Sequence, residues 1–141
     1  MKNKSLKINK ESMCSCGLSL FKNCCGRFLS NVELPITAAL LMRSRYSAYA
    51  LEDENYLQST WHSSTRPTTN IVDKESNIKW LGLNILNADE SENSATVEFV
   101  ARYKIGGRAH RLHEVSRFVC ETQNGLLRWF YLDGSFPASE K

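Results

Sequence analysis

The sequence predicts an α+β fold in which helices precede an antiparallel sheet and a small cysteine-rich segment stands in front of both. Three observations carry this. Residues 37 to about 61 place apolar side chains at helical spacing, whereas residues from 78 onward alternate apolar and polar side chains with a period of two. Four of the five cysteines fall between Cys14 and Cys25. Helices followed by strands, without alternation of the two, argue for a meander rather than a parallel βαβ sheet.

Taken in order, residues 1–12 (MKNKSLKINKES) have no apolar period and read as a flexible basic lead-in. Residues 13–28 form the cysteine segment, with Gly17 and Gly26 at turns, and residues 29–36, with Pro35, form a connector. From Thr37 to about Leu51, TAALLMRSRYSAYAL is rich in helix formers, and Leu41, Ala48 and Leu51 share a face. Glu52, Asp53 and Glu54 then lead Tyr56, Leu57 and Trp61 into a second short helix that ends before Pro67. Residues 62–77, with Ser, Thr, Pro and Asn, predict a long loop with room for a short helix.

Strands are expected from Ile78 to Ile85 and from Ala95 to Ile105. Gly106-Gly107 marks a hairpin, so that Arg108 to Glu121 pairs back antiparallel, and Gln123-Asn124-Gly125 turns the chain into a last strand, Leu126 to Leu132. The body spans 37–134, and 135–141 is a C-terminal tail.

Composition sets limits on function. With 141 residues, 42% of them apolar, the chain holds one ordinary domain plus a small appendage. The longest apolar run, Ala38 to Met42, falls far short of the ~20 residues a membrane helix needs. No secretory signal follows the basic start, so a cytoplasmic protein is expected. The net charge of +3 divides unevenly. Residues 1–30 carry six basic side chains and one acid, and residues 31–141 carry twelve basic and fourteen acidic ones. A basic head on a mildly acidic body argues against a general nucleic-acid surface.

Cys14, Cys16, Cys24 and Cys25 can form disulfides, act as a redox pair or bind a metal. In a reducing compartment, clustered cysteines favour a metal, and four thiolates suit the tetrahedral preference of zinc. About sixteen residues cannot bury a core, so a bound metal would supply most of the folding free energy of this segment. The fifth, Cys120, is expected as a small buried residue on a strand.

Cys-x-Cys-Gly, the aromatic Phe21, then Cys-Cys-Gly resembles the SEC-C motif, the small zinc module that in the SecA translocation ATPase recruits a chaperone. Here Cys25 takes the position of the last ligand, and the loop from Cys16 to Cys24 is one residue shorter than usual. Further on, Leu41-Met42-Arg43-Ser44-Arg45-Tyr46-Ser47-Ala48-Tyr49, Thr60-Trp61-His62, Arg66-Pro67 and His113-Glu114-Val115-Ser116-Arg117-Phe118 resemble the YchJ-like family. That resemblance implies a SEC-C motif coupled to a nuclear transport factor 2-like domain, a curved sheet wrapped by helices into a cone, with structural Zn(2+) on the four cysteines. It also implies a protein partner for the zinc module.

A cone offers one concave cavity. On the strand from Arg108, parity places Leu112, Glu114, Ser116, Phe118 and Cys120 on one face and Arg111, His113, Val115, Arg117 and Val119 on the other. If the first face lines the cavity, Glu114 is a partly buried acid that needs a partner, and Arg43 and Arg45 are the natural candidates. One reading makes Glu114, with His62, His113 or Tyr46, an acid–base or anion-binding site for a small molecule; the other ties helix to sheet through an arginine–glutamate pair and neighbouring hydroxyls such as Ser116. One glutamate among arginines does not specify a reaction, so an enzyme stays the secondary expectation. Arg102, Lys104, Arg108, Arg111 and Arg117 could form a basic stripe, but nucleic acid is not expected as the main partner, nor is a membrane.

Overall fold

The computed structural model describes residues 12–137. The lead-in predicted over 1–12 therefore lies outside the described residues except for Ser12, as do the last four residues of the tail.

The two longer helices each start where a polar side chain supplies an acceptor. Thr37 Oγ1 accepts from the Leu40 amide at 3.1 Å and opens the main helix, α2 (Ala38–Ala50), after a single turn, α1 (Gly26–Leu29). Asp53 Oδ1 accepts from the Tyr56 amide at 3.1 Å and opens α3 (Glu54–Ser59). In α2, Leu41, Ser44, Ser47 and Ala48 are fully buried. Ser44 Oγ donates to Leu41 O and accepts from Tyr56 OH, both at 2.7 Å, which fastens α3 against α2.

The second helix ends earlier than predicted, and the cause is the sheet. Thr60, Trp61 and His62 pair in parallel with the last strand: the Tyr131 amide donates to Thr60 O and the His62 amide to Tyr131 O, both at 2.8 Å. This short pairing covers a sheet edge that would otherwise present unpaired amides. Within residues 62–77 no helix forms. The segment is instead pinned by Glu54, whose carboxylate accepts from the Ile71 amide at 2.8 Å and the Val72 amide at 2.9 Å.

Four strands, β1 (Lys79–Glu90), β2 (Ser94–Ile105), β3 (Arg108–Gln123) and β4 (Leu126–Ser135), form an antiparallel sheet in sequence order. Gly106, Gly107 and Gly125 take positive φ at the two hairpin turns where the sequence places them. Register shifts at Trp80/Gly82 and Ile85/Asn87 in β1, and in the pairing near Arg117/Phe118, bend the sheet so that one face is concave. Phe99, Ala101, Phe118 and Trp129 join Leu41, Met42 and Tyr46 of α2 in one buried cluster. The four clustered cysteines belong to that same cluster, so the cysteine segment and the body share a core. Cys120 is partly buried against it. No helix among the described residues is long and apolar enough to cross a membrane.

Candidate metal centre and the adjoining cavity

The cysteine segment folds as two short arms that meet. In the first, Met13 and Leu20 pair in antiparallel fashion, the Cys14 amide donates to Ser19 O at 2.8 Å, and Gly17 turns the chain at φ 86°. In the second, a 3-10 turn (Phe21–Asn23) delivers Cys24 and Cys25 to the start of α1. Gly26 is required there, because a Cβ would lie 2.7 Å from Phe21 O and 3.0 Å from its ring. The shortened loop therefore still brings both arms together, and the adjacent pair reaches the site because the backbone reverses at Cys24.

All four sulfurs lie within 4.8 Å of one another, and each cysteine is at most 3% exposed. Cys16 Sγ and Cys24 Sγ are 3.5 Å apart, and Cys24 Sγ and Cys25 Sγ 4.0 Å. A tetrahedron of thiolates at about 2.3 Å from a zinc ion has edges of about 3.8 Å, so these spacings fit. The electrostatics also call for a cation. Hydrogen bonding from Cys16 and Cys25 holds the Cys14 thiol far below its ordinary value, while burial and the neighbouring sulfurs push Cys24 up to about 12 and hydrogen bonding to Cys14 raises Cys25 further. Without added positive charge the cluster does not hold four thiolates together. The surrounding structure orients the cysteines: Ser47 Oγ of α2 lies 3.3 Å from Cys14 Sγ, and Arg43 Nη1 donates to Cys16 O at 3.1 Å.

The opposite flank of α2 closes a cavity of about 210 Å³ against the concave sheet. Its walls include Arg45, Tyr46, Tyr49, Trp80, Glu114 and Tyr131. Glu114 is 8% exposed, and its Oε2 accepts from Ser116 Oγ at 2.8 Å and from Tyr131 OH at 3.1 Å. Arg45 is 3% exposed; its Nη1 donates to Leu57 O at 3.0 Å and to Thr60 Oγ1 at 2.6 Å, and its guanidinium lies over the rings of Tyr131 and Trp61 at 4.5 and 5.1 Å. Burial lowers the Arg45 pKa, against the pull of nearby hydroxyls and Glu114, and burial raises Tyr46 to about 12. Burial and the adjacent Glu114 also push Tyr131 upward.

Of the residues singled out from sequence, Arg45, Tyr46, Glu114 and Ser116 therefore come together, and parity placed Glu114 on the correct face. Three do not join them. Arg43 leaves α2 on a different face from the cavity-lining residues and points to the cysteine segment. His113 lies on the convex face, where its Nε2 meets Glu98 Oε2 at 2.7 Å, because neighbours on a strand face opposite ways. His62 sits outside the cavity: its Nδ1 accepts from the Ser64 amide at 3.1 Å, so Nε2 donates to Glu121 Oε2 at 2.7 Å. Glu114 has no arginine within ion-pair distance among the described residues; hydroxyls serve it instead. Tyr131 and Gly134 were missed by sequence reasoning. An isolated glycine inside an alternating strand is the signal that could have flagged the second.

Comparison with known proteins agrees with this architecture. The family model described as "YchJ, middle NTF2-like domain" matches residues 37–134. A UPF0225 protein of Cupriavidus metallidurans is 50% identical over 137 residues, covering 95% of this chain and 96% of that protein. A UPF0225 protein of Ralstonia nicotianae is 50% identical over 131 residues, covering 86% and 89%. Among solved structures, a SEC-C motif containing protein from Rhodopseudomonas palustris superposes with a TM-score of 0.75 at 32% identity, over 89% of this chain and 98% of that one. One from Psychrobacter arcticus gives 0.74 at 25% identity, over 94% and 86%.

Proposed function

This chain belongs to the YchJ family, and from that premise we propose that it is a cytoplasmic accessory protein whose N-terminal SEC-C segment, locked by structural zinc, docks onto a protein partner. The cone-shaped body presents that segment and holds a small ligand or a partner side chain in its cavity. The observation that carries the reading is the closed, buried arrangement of Cys14, Cys16, Cys24 and Cys25, which leaves a four-coordinate metal no position for water or substrate. Bound zinc would supply folding free energy rather than chemistry. Around this closed centre the segment and the connector display Met13, Leu18, Val32 and Ile36, each more than half exposed. Apolar side chains held outward by a rigid scaffold suit a protein interface better than a catalytic one.

The test compares three full-length baits: the wild type, a variant carrying Leu18→Ser, Val32→Ser and Ile36→Ser, and the metal-stripped wild type. The reading expects one partner retained by the first and lost from the other two. A partner held equally by all three contradicts it.

One observation supports a second reading as a small-molecule enzyme: Glu114 is buried at the wall of a partly open cavity, with hydrogen bonds to only one of its oxygens among the described residues. A carboxylate so placed can act as a general acid or base on an isomerase, lyase or hydrolase substrate. Turnover of carbonyl and ester compounds that falls about 100-fold in Glu114→Gln supports this reading; equal rates in wild type and variant contradict it.

A further inference from the structure

The two oxygens of Glu114 are served unequally. Oε2 accepts from Ser116 Oγ at 2.8 Å and from Tyr131 OH at 3.1 Å, and it is the atom that a Cβ at Gly134 would meet first. Oε1 accepts no hydrogen bond among the described residues, yet the side chain is 8% exposed and lines the cavity. A carboxylate so buried is costly unless a cation or a full set of donors compensates it. Arg45 is the one buried cation among the described residues, and its donors are turned elsewhere. Its Nη1 donates to Leu57 O and Thr60 Oγ1, and Tyr131 joins the two charges, its ring against the guanidinium at 4.5 Å and its hydroxyl on Oε2. Arg45 therefore offsets part of the Glu114 charge from a distance without donating to Oε1.

The rest of the cavity wall is aromatic and apolar. Tyr46, Tyr49, Trp80 and Phe99 line it together with Glu114. Trp80 is the hub, with its ring centroid 5.7 Å from that of Tyr46 and 6.1 Å from that of Tyr49. Aromatic rings and a carboxylate attract the same sign of charge, and both do so more strongly away from water. An anion would meet Glu114 at close range with the Arg45 donors already engaged. A neutral molecule would leave the carboxylate without a counter-charge in contact. A quaternary ammonium suits the rings but has no N–H for Oε1. A protonated amine with a short apolar tail satisfies both parts of the wall. The volume of about 210 Å³ lies below the roughly 300–1,000 Å³ of sites for drug-sized ligands, so the occupant is small.

We propose that the cavity binds a small protonated alkylamine, with its N–H groups on Glu114 Oε1 and its alkyl part against Tyr46, Tyr49 and Trp80. This names the ligand class for the cavity in the function proposed above, and it rests on that reading. The test is an NMR titration of the isotope-labelled full chain at neutral pH with n-butylammonium, 1-butanol and butyrate, three chains of similar size and different charge. The backbone amides of Phe99, Ala101 and Leu112, on the cavity wall, report binding. n-Butylammonium should bind at least about tenfold more tightly than 1-butanol, the scale of one hydrogen bond to a charged group, and butyrate should bind weakest. Glu114→Gln keeps the shape and removes the charge, so it should lose at least about tenfold for the amine and change 1-butanol by less than about twofold. Trp80→Leu should lose about fivefold for the amine, through the ring alone. Melting curves verify that the variants fold; should either melt lower, the ranking of the three ligands on the wild type still decides. Binding of 1-butanol or butyrate in the cavity as tight as that of the amine overturns the proposal while leaving a ligand-binding cavity in place. Amine affinity unchanged in Glu114→Gln, or amine-induced shifts confined to residues outside the cavity, overturns it as well. If none of the three shifts the wall amides, both this proposal and the small-ligand role of the cavity fail.

Discussion

Gly134 of β4 leaves the space that the Glu114 carboxylate of β3 occupies: a Cβ added at Gly134 would lie 2.7 Å from Glu114 Cδ. The glycine stands opposite Ser116, so the strand pairing itself sets Glu114 between Gly134, Ser116 and Tyr131. Gly134→Ala must therefore displace a buried carboxylate from two hydroxyl donors. Overpacking of this kind costs about 1–3 kcal/mol, and the urea midpoint should fall accordingly with the m-value unchanged. A midpoint equal to the wild type would mean that Glu114 is not held as described.

Arg45 supports the same cavity from the helix side. Its Nη1 donates to both Leu57 O and Thr60 Oγ1 while the planar guanidinium lies over two aromatic rings, a stacking that an ammonium does not reproduce. Arg45→Lys keeps the charge and loses the planar group. Loss of hydrogen bonds to a buried charge should destabilise the fold by about 2–3 kcal/mol, read as a lower urea midpoint. A substitution without effect would show that charge alone matters at this position.

Ser47 lies behind the cysteine centre without being a ligand. Its hydroxyl is 3.3 Å from Cys14 Sγ and wholly buried. Ser47→Ala should leave the stoichiometry of bound metal intact but weaken its retention roughly 10- to 100-fold in chelator competition. Unchanged retention would mean that the hydroxyl only fills space.

Acid should release the loop over residues 62–77. Desolvation opposes ionisation of Glu54, but the amides of Ile71 and Val72 and the Gln58 side chain outweigh it and hold its pKa below the ordinary 4.5. A depressed folded-state pKa gives stability that is complete above the unfolded-state value and lost as pH falls through the folded-state value. Limited proteolysis within 62–77 should therefore accelerate below about pH 4.5, and Glu54→Ala should show the fast rate already at neutral pH. Equal cleavage rates across this range would contradict the pinning.

What was legible in the sequence is what local rules decide. Thr37 and Asp53 mark helix starts through their own acceptors, Gly106-Gly107 and Asn124-Gly125 mark the hairpins, and parity along β3 puts Glu114 inside and His113 outside. The four cysteines are close in sequence, so their convergence needs only two short arms. Contacts set by long side chains or by distant pairing were not legible. Arg43 and Arg45, two residues apart, must leave the helix about 200° apart, but that one reaches the Cys16 carbonyl and the other the end of α3 is fixed by what packs on each side. The edge pairing of Thr60–His62 with Tyr131 shortens the second helix, and nothing within residues 54–66 announces it.

Metal content tests the proposed zinc centre at Cys14, Cys16, Cys24 and Cys25 most directly. Mass-spectrometric metal analysis of the purified full chain should find about one zinc per protein, and Cys24→Ser should lose it together with thermal stability, since the sulfurs sit in the shared core. Less than about half an equivalent in the wild type, or retention of zinc and stability in Cys24→Ser, would contradict the account.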